Sequence, residues 1–175
     1  MNIDDIKTVA MIGAGDMGHG IAEVALLAGY NVNLYDIKEE YVELGKSRIL
    51  SSLDLLVGKG KVPAELNTAI REKLLKTTTD LAEAVGNADL VIEAIPEFMD
   101  LKKKVFADID KAAPPHALLA SNTSTMSISE IAEATNRPEK VLGLHYFNPA
   151  ILMRLVEVIK ADKTSDETMQ IGMAF

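Results

Sequence analysis

Short apolar runs rich in β-branched residues alternate along the chain with longer segments in which apolar positions recur at helical spacing. Such runs are typical of strands buried on both faces of a parallel sheet that has helices packed on either side. The pattern predicts strands over residues 7–12, 31–36, 76–79, 88–95, 117–121, 141–147 and 155–159. It predicts helices over residues 17–28, 38–57, 64–75, 98–112 and 127–135. This alternation favours an α/β fold with a doubly wound, mostly parallel sheet.

Two helices are predicted between the second and third strands, where a simple crossover needs one. Leu53, Leu56 and Val57 lie on one face of the first helix, at the spacing that an amphipathic helix requires. The segment between the two helices, GKGKVP, contains two glycines and ends at Pro63, which suits the first position of a helix. The sequence therefore predicts a helical hairpin inserted into the α/β fold.

The last residues, TSDETMQIGMAF, have the pattern of a helix that begins with a capping box formed by Thr164 and Glu167. The pattern stops after about three turns, with Met173 and Phe175 near its end and no capping residue. We expect residues 1–175 to form one domain cut from a longer protein.

Composition excludes several classes of protein. A net charge of −8 argues against a nucleic-acid surface, because phosphate binding requires clustered Lys and Arg. The chain has no cysteine, which excludes disulfides, thiolate metal sites and cysteine nucleophiles, and we expect no metal. No apolar run reaches the length of a membrane span, and the first residues, MNIDDIK, are acidic where a secretory signal is basic. The cytoplasm is the expected location.

A glycine-rich turn follows the first predicted strand and opens the first predicted helix. Gly13, Gly15 and Gly18 form a GxGxxG motif, and Asp36 ends the next strand about 20 residues on. In such a turn the first glycine permits the tight bend, the second lets the backbone approach a pyrophosphate, and the third allows close helix packing. The free N–H groups of the helix then face the anion. This context indicates a dinucleotide-binding site.

The nature of the dinucleotide follows from the residues at the end of the second strand. Asp36 can accept hydrogen bonds from a ribose 2′-hydroxyl and would repel a 2′-phosphate. Ile37 supplies no arginine for that phosphate, although Lys38 follows it. These residues favour NAD over NADP. FAD is the main rival, and it is disfavoured because a flavoprotein usually needs a longer chain to enclose its cofactor.

The last two predicted strands carry a histidine and a glutamate among apolar residues. Glu157 shares a strand face with Leu155 and Ile159, where an unpaired buried carboxylate would be unfavourable by several kcal/mol. His145, on the preceding strand, is the nearest candidate partner. A carboxylate fixes the tautomer of an imidazole, as a base that takes a proton from an alcohol requires. The alternative is that Glu157 lies on an exposed face and His145 is a satisfied core residue.

Polar residues also follow the fifth predicted strand, in the segment SNTSTMS. Ligands of open α/β sheets bind beyond the carboxyl ends of the strands, so these hydroxyls and this amide are well placed for a substrate oxygen. Ser127 and Glu130 fit a capping box for the next helix, which accounts for Ser127 without a ligand. The residues from Ser121 to Ser124 remain available for a site.

Five segments in this order, GAGDMGHGIA, VIEAIPE, ASNTS, GLHYFNP and LVEVI, resemble the nucleotide-binding domain of the L-3-hydroxyacyl-CoA dehydrogenase family. The resemblance runs from about residue 5 to the last residue. It implies a Rossmann-type sheet, NAD as the cofactor, and oxidation of the 3-hydroxyl of an acyl-CoA thioester to a ketone, or the reverse.

The resemblance also implies roles for individual residues. His145 matches the acid/base and Glu157 the carboxylate that orients it, while Ser124 and Asn148 match positions at the reacting oxygen of the substrate. The positions that match cofactor contacts are Asp36, Glu97, Lys102 and Asn122, the last of them near the nicotinamide. Without the resemblance, Glu97 and Lys102 read as a solvated helix start. His19 and His116 match no functional position.

In the family, the inserted hairpin resembles an arm that holds the CoA tail. Ser52 and Lys59 fall on positions that contact CoA, although the alignment there spans a length difference. Pro149 is followed by Ala150-Ile151-Leu152, where the family commonly has a second proline. The family's all-helical second domain, which forms the homodimer contact and one wall of the cleft, is absent from these 175 residues.

Two other functions remain open from the sequence. A related NAD-dependent dehydrogenase that acts on a free hydroxyacid, such as a sugar acid, would share most of these motifs. The chain could also be an NAD-binding module that is inactive on its own, because the resemblance leaves half of the cleft unaccounted for.

Overall fold

All 175 residues are described by the computed structural model, in which seven strands form a single sheet. The strands are β1 (Thr8–Ile12), β2 (Asn31–Tyr35), β3 (Leu75–Thr78), β4 (Leu90–Glu93), β5 (Leu118–Ser121), β6 (Val141–Tyr146) and β7 (Val156–Lys160). The α-helices are α1 (Asp16–Leu27), α2 (Glu39–Gly58), α3 (Ala64–Ala69), α4 (Leu81–Val85), α5 (Met99–Ala112), α6 (Ile128–Ala132) and α7 (Asp166–Ala174). A π-helical turn covers Ile70–Leu74, and short 3-10 turns cover Ile3–Asp5 and Pro138–Lys140.

The strand order across the sheet is β3-β2-β1-β4-β5-β6-β7. Every neighbouring pair is parallel except β6 and β7, which are antiparallel. The chain runs outward from β1 to β3 on one side, then returns to β4 on the other side of β1. This confirms the predicted doubly wound, mostly parallel sheet and places its topological switch point between β1 and β4, where such folds bind ligands.

Helices cover both faces of the sheet, and each strand contributes alternate residues to the two cores. On β1, Val9 and Met11 belong to the core under α1, α2 and α7, whereas Ala10 and Ile12 belong to the core under α4, α5 and α6. Both faces of the central strands are therefore buried, as their continuous apolar runs predicted. None of the helices combines the length and apolar character needed to cross a bilayer.

The helical hairpin between β2 and β3 is present, with a shorter second arm than predicted. The predicted helix over residues 64–75 divides into α3 and the π-helical turn. Arg71 joins the two arms, because its Nη2 donates to Asp54 Oδ1 at 2.6 Å and its Nε donates to Asn67 Oδ1 at 2.9 Å. Buried Ile49 and Leu53 dock α2 on the core.

Two helix starts differ from the prediction. The short helix α4 was not predicted, although Asp80 caps it by accepting hydrogen bonds from the backbone N–H groups of Ala82 and Glu83. The predicted capping box of Thr164 and Glu167 is wrong by one residue, since Ser165 caps α7 and accepts from Thr168 N. Thr164 instead donates to Val141 O, which satisfies its buried hydroxyl within the sheet.

Candidate functional site

The glycine turn joins β1 to α1 at the centre of the sheet. Gly13 has a φ of +104°, and a Cβ added there would lie 2.6 Å from the carbonyl oxygen of Ala94. A Cβ on Gly18 would lie 1.8 Å from the carbonyl oxygen of Gly13. A Cβ on Gly15 would meet nothing within 4 Å. Gly13 and Gly18 are thus required by backbone contacts, whereas Gly15 leaves open space before the helix N-terminus, where a pyrophosphate would lie.

The Asp36 side chain is hydrogen-bonded to the backbone of the glycine turn and of the residue that follows Asp36. Its Oδ2 accepts from the backbone N–H of Ala14 at 2.8 Å, and its Oδ1 accepts from the backbone N–H of Ile37 at 2.7 Å. An ionised carboxylate has about four acceptor positions, so two hydrogen bonds leave capacity for ribose hydroxyls. Asp36 therefore stabilises the turn. It also has free acceptor positions beside the turn.

A cavity of about 470 Å³ opens beyond the carboxyl ends of β1, β2 and β4. Gly13, Gly15 and Asp36 lie in its wall. Much of the rest is apolar and includes Tyr35, Ile37, Tyr41, Leu44, Leu81 and Ile95. Apolar walls with a few polar groups at one end suit an adenine ring and its ribose. The open space at Gly15 and the acceptor at Asp36 therefore fit a dinucleotide.

His145 and Glu157 face each other across β6 and β7, where they are paired in register. The imidazole Nδ1 lies 2.7 Å from Glu157 Oε2. The structure therefore brings these two predicted partners into hydrogen-bond contact. The prediction that Glu157 is buried is wrong, since β7 is the edge strand and 53% of this side chain is exposed, against 16% for His145. The exposed-face alternative therefore holds for Glu157, although its partner is His145.

Asn122 links the end of β5 to β6 through a hydrogen bond at the residue next to His145. Its backbone N–H donates to Glu93 O at 2.8 Å, and its side-chain Oδ1 accepts from Tyr146 N at 2.8 Å. Ser124 lies two residues further on, exposed on the loop that follows β5. The two residues are thus at the same edge of the sheet as His145, because β5 and β6 are parallel.

Lys102 and Glu97 do not form a solvated helix start. The Lys102 side chain is fully buried, and its Nζ lies 2.6 Å from Glu93 Oε1 and 3.5 Å from Glu97 Oε1. It also donates to Ile95 O at 3.2 Å. Glu97 remains 46% exposed and accepts from the Thr123 hydroxyl. The alternative of a solvated face is therefore wrong for Lys102, which lies inside an ion-pair network.

Glu93 is the member of this network that sequence reasoning missed. It is fully buried at the end of β4, where Oε1 also accepts from Ile95 N and Oε2 accepts from the Ser121 hydroxyl. Its carboxylate thereby joins β4, β5 and α5. The signal was available, because a single acidic residue inside the apolar run LVIEAI requires a buried partner.

A second cavity, of about 240 Å³, lies between α1, α2 and the loop after β6. Ser52 and Asn148 both line it, so the structure brings these two predicted substrate contacts together. Lys59 does not line it, because it caps the end of α2, seven residues and about 10 Å along the helix from Ser52.

The two remaining histidines have local partners. His19 Nδ1 lies 2.7 Å from the carbonyl oxygen of Gly15, one turn into α1. His116 Nε2 lies 2.9 Å from Asp89 Oδ1, at the amino-terminal end of β4 and so on the other side of the sheet from the glycine turn. His116 is therefore distant from the glycine turn, whereas His19 adjoins it.

A parallel sheet with a glycine turn at its switch point, an acidic residue at the end of β2 and an apolar cavity beyond both defines a dinucleotide-binding domain. Residues 8–175 match the family described as "3-hydroxyacyl-CoA dehydrogenase, NAD binding domain". The chain belongs to this family.

Curated relatives and solved structures agree with this assignment. The chain is 44% identical over 171 residues to a probable 3-hydroxybutyryl-CoA dehydrogenase of Bacillus subtilis, covering 97% of this chain and 58% of the relative. It is 43% identical to the 3-hydroxyadipyl-CoA dehydrogenase of Escherichia coli, covering 95% of this chain and 34% of the relative.

Among solved structures, the (S)-3-hydroxybutyryl-CoA dehydrogenase of Ralstonia eutropha superposes with a TM-score of 0.89 at 38% identity. The match covers 94% of this chain and 58% of that one. The chain therefore spans well under two thirds of the length of these relatives.

Proposed function

We propose that the protein containing this chain is an NAD-dependent dehydrogenase of 3-hydroxyacyl-CoA thioesters. The observation that carries the proposal is the His145–Glu157 hydrogen bond near the carboxyl end of β6. This end of β6 lies on the same edge of the sheet as the glycine turn, since β1, β4, β5 and β6 are parallel. An acid/base pair and a dinucleotide site at one edge are what oxidation of a hydroxyl group requires.

The cofactor site is built from the glycine turn and Asp36. Backbone N–H groups at the start of α1 would hold the pyrophosphate, and Asp36 would accept hydrogen bonds from a ribose. Bound NAD supplies the hydride acceptor for the oxidation. Glu97, Lys102 and Asn122 are proposed to complete the nicotinamide side of the site, with Lys102 acting through the exposed carboxylate of Glu97, because Lys102 itself is buried.

The acid/base step belongs to His145. Because Nδ1 is held by Glu157, the ring is fixed in orientation and Nε2 is the nitrogen left to take the proton of the 3-hydroxyl. Glu157 orients this ring and stabilises the imidazolium that forms. Ser124 and Asn148 are proposed to hydrogen-bond the reacting oxygen of the substrate. In the reverse direction His145 returns the proton.

The CoA portion of the substrate is proposed to lie along α2. Ser52 opens into the cavity shared with Asn148, and Lys59 is placed for a phosphate at the far end of the helix. Two substitutions, Ser52→Ala and Lys59→Ala, should therefore raise the KM of a CoA thioester and leave the binding of NAD unchanged.

The substrate class can be tested directly in the complete gene product that carries this sequence. With NAD, 3-hydroxybutyryl-CoA should be oxidised with a kcat/KM at least about a hundredfold above that of free 3-hydroxybutyrate. A free sugar acid oxidised more efficiently than the thioester would overturn the assignment in favour of a hydroxyacid dehydrogenase.

Calorimetry with NAD and NADP tests the proposed role of Asp36, and tighter binding of NADP would contradict that role.

The 175-residue chain by itself is proposed to bind NAD without catalysing turnover. Supporting this, Glu157 is half exposed to water, so the acid/base pair is open on one side. Calorimetry with NAD and a turnover assay on residues 1–175 test the proposal. Steady turnover by the isolated chain would contradict it.

A further inference from the structure

A buried glutamate in the smaller cavity is used by none of the chemistry described above. Glu23, on α1, lines this cavity opposite Ser52 on α2. It is only 2% exposed, and its Oε1 is the one buried side-chain nitrogen or oxygen in the structure without a hydrogen-bond partner. A buried polar atom without a partner is costly, so the Glu23 carboxyl requires a hydrogen-bonding neighbour in this cavity.

The charged neighbours of Glu23 do not neutralise it. Asp16 and His19 from α1 and Arg48 from α2 line the same cavity, and the loop 148–151 brings no titratable group. Arg48 is paired with Asp16 at 2.7 Å, and His19 Nδ1 is engaged with the Gly15 carbonyl at 2.7 Å. Burial raises the pKa of the Glu23 carboxyl, and the Ser52 hydroxyl that faces it opposes this only in part. These surroundings shift the carboxyl toward its neutral form.

We propose that Glu23 is a positioning residue for Ser52: its carboxylic acid donates a hydrogen bond to the Ser52 hydroxyl oxygen, so that the hydroxyl proton of Ser52 points into the cavity. The inference rests on the proposed function, because the group that receives this proton is a neutral carbonyl oxygen of the CoA thioester. Donation to Ser52 gives the Glu23 carboxyl its hydrogen-bond partner, and the substrate oxygen then accepts the Ser52 proton.

The protonation state of Glu23 determines what Ser52 offers to the substrate. A protonated carboxyl donates to Ser52 and leaves the Ser52 O–H free to donate to a carbonyl oxygen. An ionised carboxylate is an acceptor only, so the Ser52 proton turns back toward Glu23 and the cavity presents lone pairs to the substrate oxygen. Ionisation of Glu23 therefore weakens thioester binding.

The first experiment is a double-substitution cycle in the complete gene product, with 3-hydroxybutyryl-CoA and NAD. Glu23→Leu should raise the KM of the thioester about tenfold and leave the Kd of NAD within twofold. The double variant with Ser52→Ala should be no worse than Ser52→Ala, because one hydrogen bond is lost in both. Effects that multiply, or an unchanged KM in Glu23→Leu, would overturn the inference. The exposed Glu72, treated in the same way, is the matched control and should change neither constant.

A second variant covers the case in which Glu23→Leu does not fold. The amide of Glu23→Gln donates a hydrogen bond at every pH, so its KM should equal that of the wild type in acid and stay lower as the pH rises. The ratio of wild-type KM to Glu23→Gln KM should thus climb from about one toward about ten. A ratio that stays flat would contradict the role of Glu23. Absence of thioester oxidation by the wild type would instead contradict the proposed function itself.

Discussion

Single atoms decide what the glycine turn can do. The three glycines of the motif have two kinds of surroundings: backbone oxygens crowd Gly13 and Gly18, and open space lies before Gly15. The spacing of the glycines and the reason for each followed from the sequence. The distances that separate a packing role from a binding role required the path of the loop after β4, which brings the Ala94 carbonyl against Gly13.

We predict that Gly18→Ala lowers the stability of the fold, whereas Gly15→Ala lowers the affinity for NAD. In Gly18→Ala the new Cβ collides with the Gly13 carbonyl, and the free energy of unfolding should fall by more than about 3 kcal/mol. Gly15 has a φ of −70°, which alanine adopts, so Gly15→Ala should unfold within about 1 kcal/mol of the wild type. Its methyl group would occupy the open space proposed for the pyrophosphate, and NAD affinity should drop at least about tenfold. Urea unfolding measures the stability of the two variants, and calorimetry measures their NAD affinity. A Gly18→Ala variant as stable as the wild type would contradict the packing role of Gly18.

Glu23 should leave a signature in the pH dependence of stability. Burial raises its pKa in the folded state above the ordinary value of 4.5, so the folded state holds this proton more tightly than the unfolded state does. The stabilisation is fully present below the ordinary value and is lost as the pH rises through the raised pKa. Glu23→Gln has no such loss. Its stability relative to the wild type should therefore increase with pH, and urea unfolding that shows a constant difference would argue against a buried neutral acid.

At the scale of elements, the order of strands and helices was readable from the sequence because central parallel strands are apolar on both faces. The position of the edge strand could not be read from the sequence. The apolar residues around Glu157 suggested burial, but β7 is the last strand of the sheet and leaves that carboxylate half exposed. Glu93 and Lys102 were missed as a pair because their contact depends on how the segment between β4 and α5 folds back.

The buried Lys102–Glu93 pair is predicted to hold β4, β5 and α5 together. Lys102→Met leaves the Glu93 carboxylate buried without its cation, which should lower the free energy of unfolding by about 3–5 kcal/mol. Adding Glu93→Gln removes the unpaired charge and should restore at least about 1 kcal/mol. Lys103, the next residue on α5, pairs with Glu130 at the surface, and Lys103→Met should cost far less. Thermal or urea unfolding compares the variants, and equal losses for Lys102→Met and Lys103→Met would contradict the prediction.

At the scale of the whole molecule, the parallel strands direct the glycine turn, Asp36 and the His145–Glu157 pair to one edge of the sheet. Sequence motifs identified each of these groups. Their common edge follows from the parallel order, and the antiparallel return of β7 sets the glutamate opposite the histidine. The smaller cavity at Ser52, with its buried Glu23, could not be read from the sequence, because it forms where two helices meet a loop that lies far away along the chain.

We infer that His145 performs the acid/base step and that other residues bind the dinucleotide. Turnover of 3-hydroxybutyryl-CoA by His145→Ala in the complete gene product, with the Kd of NAD determined on the same sample, distinguishes these two roles. We expect kcat to fall by at least about a thousandfold while the NAD affinity stays within about twofold of the wild type. Turnover within about tenfold of the wild type would contradict the assignment of the base.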